Sequence, residues 1–245
     1  MGRLTNGELI ASPDTQARFV GTPYMNAFGR YLADGLMIDS GVRVETVIAK
    51  DGGYQLTTTT GDQFTAKVVV CTAPVNQMES MLQAFDVSMI VERFTMEPTW
   101  TVVLESESIM LSSDGSPLDA CFGGDDPVID FVSFERSRPG RNSRFAVIHS
   151  TPDFARQHLE VEPEEAAALL MPHLQTDLGI EGEVILSHRW RFARPTDATV
   201  VAQKGVYQVD TGLWIAGDYL SGGRVEGAYL AGLEVADRLL DSAIL

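Results

Sequence analysis

Apolar residues along the chain follow two periods, which together predict a mixed α/β protein. Alternating or continuous apolar runs are typical of strands, and apolar residues every three or four positions are typical of helices. The strand pattern covers residues 18–20, 42–48, 54–60, 64–72, 100–104, 128–134, 144–149, 183–192 and 213–216. The helical pattern covers residues 24–32, 74–85, 152–159, 163–174 and 228–239.

The segment from residue 213 to residue 240 has the most informative order of elements. A short apolar run at 213–216 predicts a buried strand, and Gly217-Asp218 ends it. A glycine-rich turn, Ser221-Gly222-Gly223, then leads into an apolar helix. Glycine permits positive φ and close approach, and a helix start directs N–H groups at a ligand. The same order also fits a plain connection in which glycine serves only the bend.

The charge and composition of the chain exclude several classes of partner. The 245 residues include 34 acidic and 18 basic side chains, giving a formal charge of −16. This excess argues against nucleic acid or an anionic membrane as a partner. No apolar run is long enough to span a bilayer, and no secretory signal is evident, so we expect a cytoplasmic protein. Cys71 and Cys121 are widely spaced, and we expect two buried thiols and no metal site.

The C-terminal motif resembles a flavin-binding motif. The sequence GDYLSGGRVEGAYLAG at 217–232 is similar to the C-terminal motif of the FAD-dependent amine oxidase superfamily, and within it of the renalase-like branch. Three further blocks resemble this branch: FVGTPYMN, with Tyr24 where glycine is usual, SRPGR followed by HSTPDF, with Phe154 for tryptophan, and HRWRFARP. The blocks follow one another in the family's order along nearly the whole chain.

One expected motif does not occur in this sequence. Members of the superfamily hold the pyrophosphate with a strand, a G-x-G-x-x-G turn and a helix, and no such motif is present. We therefore expect that about a third of the usual protein is lacking, and that the strands at 213–216 and 68–72 lose a neighbour. The resemblance implies an incomplete FAD-binding domain of the two-dinucleotide-binding type at 35–90 and 196–245. A mixed-sheet α+β substrate domain would comprise 1–34 and 91–195.

The resemblance also implies which residues contact the cofactor. Val44 would offer backbone groups to the adenine, although it also fits an ordinary core position. Asp218 would bond the ribityl or phosphate region, although an aspartate there is also a common turn former. Backbone groups would line the isoalloxazine at Gly217, Gly223, Arg224, Val225 and Glu226. Glu226 also suits a plain first-turn position, where it complements the helix dipole.

The reaction implied by the resemblance is hydride transfer from a reduced dihydronicotinamide-type substrate to FAD, followed by reoxidation by dioxygen. Strand alternation places His188 and Trp190 on one face and Arg189 and Arg191 on the other. The aromatic pair would stack on a flat ring, and Arg191 would meet a phosphate. A packed strand with solvated arginines explains the same pattern.

Three alternatives to this reaction stay open. The chain is then an amine oxidase in which Trp190 and Tyr219 form an aromatic cage, a remnant without catalysis, or half of a split enzyme. In the last case a separate chain carries the nucleotide-binding segment.

Overall fold

The structure is a computed structural model that describes residues 1–13, 18–196 and 205–242. It has mixed α/β architecture. The strands are β1 (Gly2–Thr5), β2 (Glu8–Ala11), β3 (Val44–Lys50), β4 (Gly53–Thr58), β5 (Gln63–Ala66), β6 (Val69–Cys71), β7 (Met96–Glu105), β8 (Met110–Leu111), β9 (Pro117–Leu118), β10 (Ala120–Phe122), β11 (Ile129–Phe134), β12 (Phe145–Ser150), β13 (Glu183–Pro195), β14 (Val206–Asp210) and β15 (Leu213–Ala216). The helices are α1 (Ala27–Ala33), α2 (Val75–Met81), α3 (Ser88–Arg93), α4 (Pro152–Gln157), α5 (Pro163–Leu178) and α6 (Val225–Asp241).

The chain divides into two compact units. Unit 1 comprises Met1–Ile38 and Pro98–Arg191, and unit 2 comprises Asp39–Glu97 and Phe192–Leu245. The boundaries fall inside the strands β7 and β13. The roles predicted from the sequence, FAD binding for one domain and substrate binding for the other, stay predictions.

Unit 1 is built on a seven-stranded sheet with the order β13-β7-β12-β11-β10-β1-β2. Alternate residues of a strand point to the same side of a sheet. One face of this sheet is apolar because the strands carry apolar residues at alternate positions. Trp100, Val102 and Leu104 of β7 are buried there, together with Ala146 and Ile148 of β12. The apolar face of α5 completes this core with Ala166, Leu170 and Leu174. The residues between these core positions point to the opposite face of the sheet.

The first two strands of unit 1 were not predicted. Residues 2–11 form a hairpin in which β1 pairs antiparallel with β2. Asn6 and Gly7 both have positive φ, 51° and 78°, as the tight Asn-Gly hairpin turn requires. The strand predicted at 18–20 was wrong, because residues 18–20 have no regular structure.

The helix predicted at 24–32 is shorter, and none of its residues is buried. It spans Ala27–Ala33. The apolar face predicted for Met25, Phe28 and Leu32 is exposed in the structure. The helical spacing therefore predicted a helix correctly, but the expected burial of its apolar face was wrong.

Unit 2 contains a three-stranded sheet with the order β14-β15-β6 and a three-stranded meander β3-β4-β5. The expected loss of a neighbour was wrong for β15, which pairs with β14 on one side and with β6 in parallel on the other. All four residues of β15 are buried. Within the described part of the chain, β6 forms the edge of this sheet.

The single strand predicted at 64–72 is in fact two strands. The chain leaves the meander after Ala66 and joins the other sheet at Val69, whose N–H donates to the carbonyl of Gly212 at 2.8 Å. The expected burial on both faces was also wrong, because Val70 lies at the edge and is 38% exposed. The apolar run from residue 64 to residue 72 therefore spans two strands that belong to different sheets.

Among the residues that the structure describes, no helix combines the length and the apolar character that crossing a membrane requires.

Candidate functional site

The turn between β15 and α6 is organised by Asp218. Its backbone carbonyl accepts hydrogen bonds from the N–H groups of Ser221 and Gly223, both at 2.8 Å. Its carboxylate oxygen Oδ1 accepts a hydrogen bond from the N–H of Tyr219 at 2.9 Å. The other oxygen, Oδ2, has no hydrogen-bond partner within the described ranges. One half of this partly buried carboxylate therefore shapes the turn, and the other half can accept a hydrogen bond from a ligand.

Gly223 cannot be replaced without strain. Its φ is +64°, and a Cβ atom at this position would lie 2.8 and 2.9 Å from the ring carbons of Pro195. Positive φ and close approach both require glycine. The glycine-rich sequence therefore does more than permit a bend, because it brings this backbone against a rigid ring.

Helix α6 begins without a side-chain cap. Arg224 occupies the N-cap position with extended backbone, and no side chain caps the helix. The first N–H groups of a helix have no partner within the helix. Val225 is 71% exposed, and Arg224 and Glu226 are also exposed. The 17 residues of α6 therefore present an open, positively polarised end next to the turn.

One residue next to this turn, Gly227, was not singled out from the sequence. A Cβ atom at Gly227 would lie 2.1 Å from the carbonyl oxygen of Ser221, so glycine is needed where the helix packs against the turn. Gly227 is buried, unlike its neighbours in the first turn. The only feature of the sequence that indicates this close packing is the glycine within the R-V-E-G-A motif.

Val44 lies beside a cleft of unit 2. It is the first residue of β3 and is half-buried. The cleft has a volume of about 760 Å³ and is lined by residues that include Val44, Arg43, Ala73, Asn76 and Phe192. This volume is within the range of ligand pockets, about 300–1,000 Å³. The contact of Val44 with adenine stays a prediction.

His188 and Trp190 form an exposed aromatic pair on β13. Their ring centroids are 4.5 Å apart, and the rings are nearly perpendicular at 72°. Trp190 is 51% exposed. The pair lies on one face of the strand, at the edge of the sheet of unit 1. Such a pair can pack against a flat ring.

Arg189 and Arg191 lie on the other face of β13, where both contact Glu160. The guanidinium of Arg191 donates two parallel hydrogen bonds of 2.8 Å to this carboxylate. The hydrogen bond to Arg191 lowers the pKa of Glu160, and the same bond raises the pKa of Arg191. Arg189 also packs over the ring of Trp100, with Cζ 5.6 Å from the centroid. To bind a phosphate, Arg191 would have to exchange its bonds with Glu160, and this role stays a prediction.

Tyr219 belongs to the core of unit 2. It is 1% exposed and packs edge-on against Phe94, with 6.0 Å between the centroids. Burial raises the pKa of its hydroxyl. The proposed cage partner of Trp190 is therefore not available at a surface.

Both thiols are buried, as predicted. Burial raises the pKa of Cys71 and raises that of Cys121 to about 12, so both are protonated and unreactive at neutral pH.

The solved structures that resemble the chain include the three below, and each similarity at this low identity concerns the fold. A protein described as a protoporphyrinogen oxidase from Exiguobacterium sp. 255-15 has a TM-score of 0.63 and 15% identity over 89% of this chain and 51% of its own. A redesigned putrescine oxidase has a TM-score of 0.59 and 14% identity over 89% and 52%. A fatty acid isomerase from P. acnes that produces CLA has a TM-score of 0.56 and 14% identity over 80% and 47%. The chain thus spans about half the length of each.

The turn and the start of α6 fit a flavin. The uncapped N–H groups suit the electron-rich pyrimidine ring, and the second oxygen of Asp218 suits a hydroxyl. The close approach that Gly223 permits would let these groups reach a ring. The family described as flavin containing amine oxidoreductase matches residues 15–240. FAD as the cofactor is thereby confirmed at the level of the family, and the chain belongs to the flavin containing amine oxidoreductases.

Proposed function

We propose that this chain acts within an FAD-dependent oxidoreductase that oxidises a reduced dihydronicotinamide-type substrate. When bound, FAD would supply the redox chemistry, a two-electron oxidation of the substrate with dioxygen as the final electron acceptor. The observation that carries the proposal is the open end of α6 behind the turn that Asp218 and Gly223 shape.

Each cofactor residue has a defined task in this proposal. Backbone groups of Gly217, Gly223 and residues 224–226 hold and orient the isoalloxazine. Asp218 Oδ2 accepts a hydrogen bond from the ribityl or phosphate region, and Val44 offers backbone groups to the adenine. The FAD-binding domain is then 35–90 with 196–245, and the substrate domain is 1–34 with 91–195.

The renalase-like substrate is favoured by the H-R-W-R-F-A-R-P block and by the aromatic pair within it. His188 and Trp190 would stack on the dihydronicotinamide and exclude water, and Arg191 would meet a phosphate. The alternative, oxidation of a small amine, is supported by the family description and by the putrescine oxidase fold. The burial of Tyr219 counts against it, because the aromatic cage then lacks one wall.

Among the described residues, β6 lies at the edge of its sheet, and this position supports a further element of the proposal. An unpaired strand edge in a parallel arrangement accepts another strand readily. We propose that the nucleotide-binding segment occupies this edge, supplied by a separate chain if the enzyme is split. If no such segment joins the chain, the protein is a remnant without catalysis.

A pair of variants at one residue tests the flavin site. Val225 is the first residue of α6, where proline is well tolerated, and Arg224 before it already has the extended backbone that a following proline requires. Val225→Pro therefore removes one N–H and keeps the helix, whereas Val225→Ala removes the side chain and keeps the N–H. We expect FAD affinity to fall about fivefold to tenfold in the first variant, the value of one hydrogen bond, and to be unchanged in the second.

The measurement is a titration of the purified protein with FAD, followed by flavin absorption and fluorescence. A protein that is colourless and stays so with added FAD would refute the proposal, unless a small nucleotide-binding chain co-purifies and restores the colour. Peroxide formation with dihydronicotinamide isomers, compared with putrescine and other simple amines, then separates the two substrates.

A further inference from the structure

The carboxylate of Glu160 occupies the anion-binding fork of Arg191. The guanidinium donates two parallel hydrogen bonds of 2.8 Å, one to each carboxylate oxygen. A phosphate accepts from the same planar fork in the same bidentate geometry. Within the described residues, Glu160 is the only hydrogen-bond partner of this guanidinium. A ligand that takes the fork must therefore displace Glu160.

Arg189 is held more firmly than Arg191. Its Nη1 atom donates to the backbone carbonyl of Leu159, and its Cζ atom lies 5.6 Å from the centroid of the Trp100 ring. The same Nη1 atom lies 3.4 Å from Oε2 of Glu160. The Arg189 side chain is 29% exposed, against 41% for that of Arg191. Three contacts thus anchor Arg189, whereas one carboxylate holds the guanidinium of Arg191.

The contact between Glu160 and Arg191 is easy to open. The Glu160 side chain is 71% exposed, so its carboxylate stays solvated when it leaves the fork. Exposed ion pairs are weak, because water screens the charges and because ordering two long side chains costs entropy. Arg189 lies close enough to Glu160 to remain its partner after the exchange. The displaced carboxylate is therefore neither buried nor without a cation.

The charges at this place favour a phosphate as the ligand. Two guanidinium groups and one carboxylate leave one positive charge here, although the chain as a whole carries −16. A phosphate monoester carries about −1.5 to −2 at neutral pH, more than the single charge of a carboxylate, so it is the stronger partner for Arg191. A small amine is a cation at this pH and would be repelled.

We propose that Glu160 is a built-in competitor for the phosphate of the substrate. It fills the fork of Arg191 in the unliganded protein, and it lowers the affinity for the phosphate that replaces it. The inference rests on the proposed function, in which Arg191 meets a phosphate, and it adds the residue that sets the strength of that contact. A supporting role makes the opposite prediction, because a glutamate that only holds Arg191 in position would strengthen phosphate binding.

Matched variants of the full chain test this role. Glu160→Gln removes the competing charge and keeps the size of the side chain. Its control is Glu165→Gln, which removes the same charge from an exposed residue at the start of α5 that forms no ion pair within the described ranges. The control for Arg191→Gln is Arg144→Gln, because Arg144 is also an exposed arginine that is paired with glutamates.

The probes are reduced nicotinamide mononucleotide and dihydronicotinamide riboside, which lacks the phosphate. Their intrinsic fluorescence reports binding without flavin or turnover, and the ratio of the two affinities isolates the contribution of the phosphate. We expect Glu160→Gln to raise this ratio about twofold to fivefold, the value of an exposed ion pair. Arg191→Gln should remove the advantage of the phosphate. Both control variants should keep the wild-type ratio.

Two further measurements separate the competitor from other effects of the substitution. Glu160→Gln combined with Arg191→Gln should show no gain, because the competitor acts only through Arg191. Inorganic phosphate, followed by the NMR signal of the Arg191 Nε–H group, tests the exchange without a nicotinamide ring, and Glu160→Gln should bind it more tightly by the same factor. Thermal midpoints measured in parallel show that each variant is folded.

The role of Glu160 is overturned if Glu160→Gln binds inorganic phosphate no more tightly than Glu165→Gln does, or if it lowers the ratio of the two probe affinities. A wild-type protein that binds neither nicotinamide probe refutes the proposed substrate, and the titration with inorganic phosphate then still decides the role of Glu160. A protein that never takes up FAD refutes the flavin reaction and changes neither result.

Discussion

Replacing Gly223 by alanine tests most sharply whether the turn before α6 is built for close approach. The φ of +64° at this residue disfavours any side chain, and the added Cβ would lie 2.8 and 2.9 Å from the ring of Pro195. A proline ring cannot rotate away as a long side chain can. The turn must therefore shift, and with it the backbone donors at the start of the helix.

The expected loss of folding free energy has two sources, the positive φ of residue 223 and the contact of the added Cβ with Pro195. A non-glycine residue in the left-handed region costs about 1–2 kcal/mol, and overpacking against a rigid neighbour costs about 1–3 kcal/mol. Their sum, about 2–5 kcal/mol, corresponds to a fall of roughly 4–20 °C in the thermal midpoint for a protein of this size. FAD affinity should fall as well, because the helix start moves relative to Asp218.

The control is Gly232→Ala, at a glycine inside α6 with no neighbouring atom within 4 Å of the added Cβ. Alanine is favoured over glycine within a helix by about 0.5–1 kcal/mol, so this variant should be slightly more stable than the wild type. Thermal and urea denaturation measure both variants. If Gly223→Ala unfolds at the wild-type midpoint and binds FAD equally well, the close approach has no structural or functional importance.

Two further predictions concern stability. Tyr54→Phe leaves the buried N–H of Gly212 without the hydroxyl that now accepts from it at 3.0 Å, so it should cost about 1–3 kcal/mol in urea denaturation. Tyr31 is exposed, so Tyr31→Phe should change stability by less than about 0.5 kcal/mol. Equal losses of stability in the two variants would contradict the role of the Tyr54 hydroxyl as the acceptor for Gly212. For Glu160 the pKa is lowered in the folded state by Arg191, so its contribution is present above the unfolded pKa of about 4.3 and is lost as pH falls through the lower folded value. The small stability difference between wild type and Glu160→Gln should therefore vanish on acidification, and a difference that grows at low pH would refute the pairing.

Local sequence patterns predicted the elements whose cause is local. The apolar run of β15, the glycines after it and the helix α6 were found because each depends on neighbouring residues only. The alternation on β13 likewise separated His188 and Trp190 from the two arginines that meet at Glu160. The Asn6-Gly7 hairpin was missed although its signal is local, because each of its strands has only four residues.

Features that depend on strand register could not be predicted. Directly paired residues of neighbouring strands are as distant in sequence as Arg3 and Phe122, and no periodicity within one segment reveals such a pair. The division of residues 64–72 into β5 and β6 depends on the position of Gly212, far along the chain. The exposure of α1 depends on what covers it, which an amphipathic pattern does not specify.

A crystal structure determined in the presence of FAD, with any chain that co-purifies, would locate the flavin relative to the turn before α6. We predict the isoalloxazine within hydrogen-bond distance, about 3 Å, of the backbone nitrogen of Val225, and a flavin hydroxyl at Oδ2 of Asp218. A flavin bound elsewhere, with the start of α6 facing only solvent, would contradict the account.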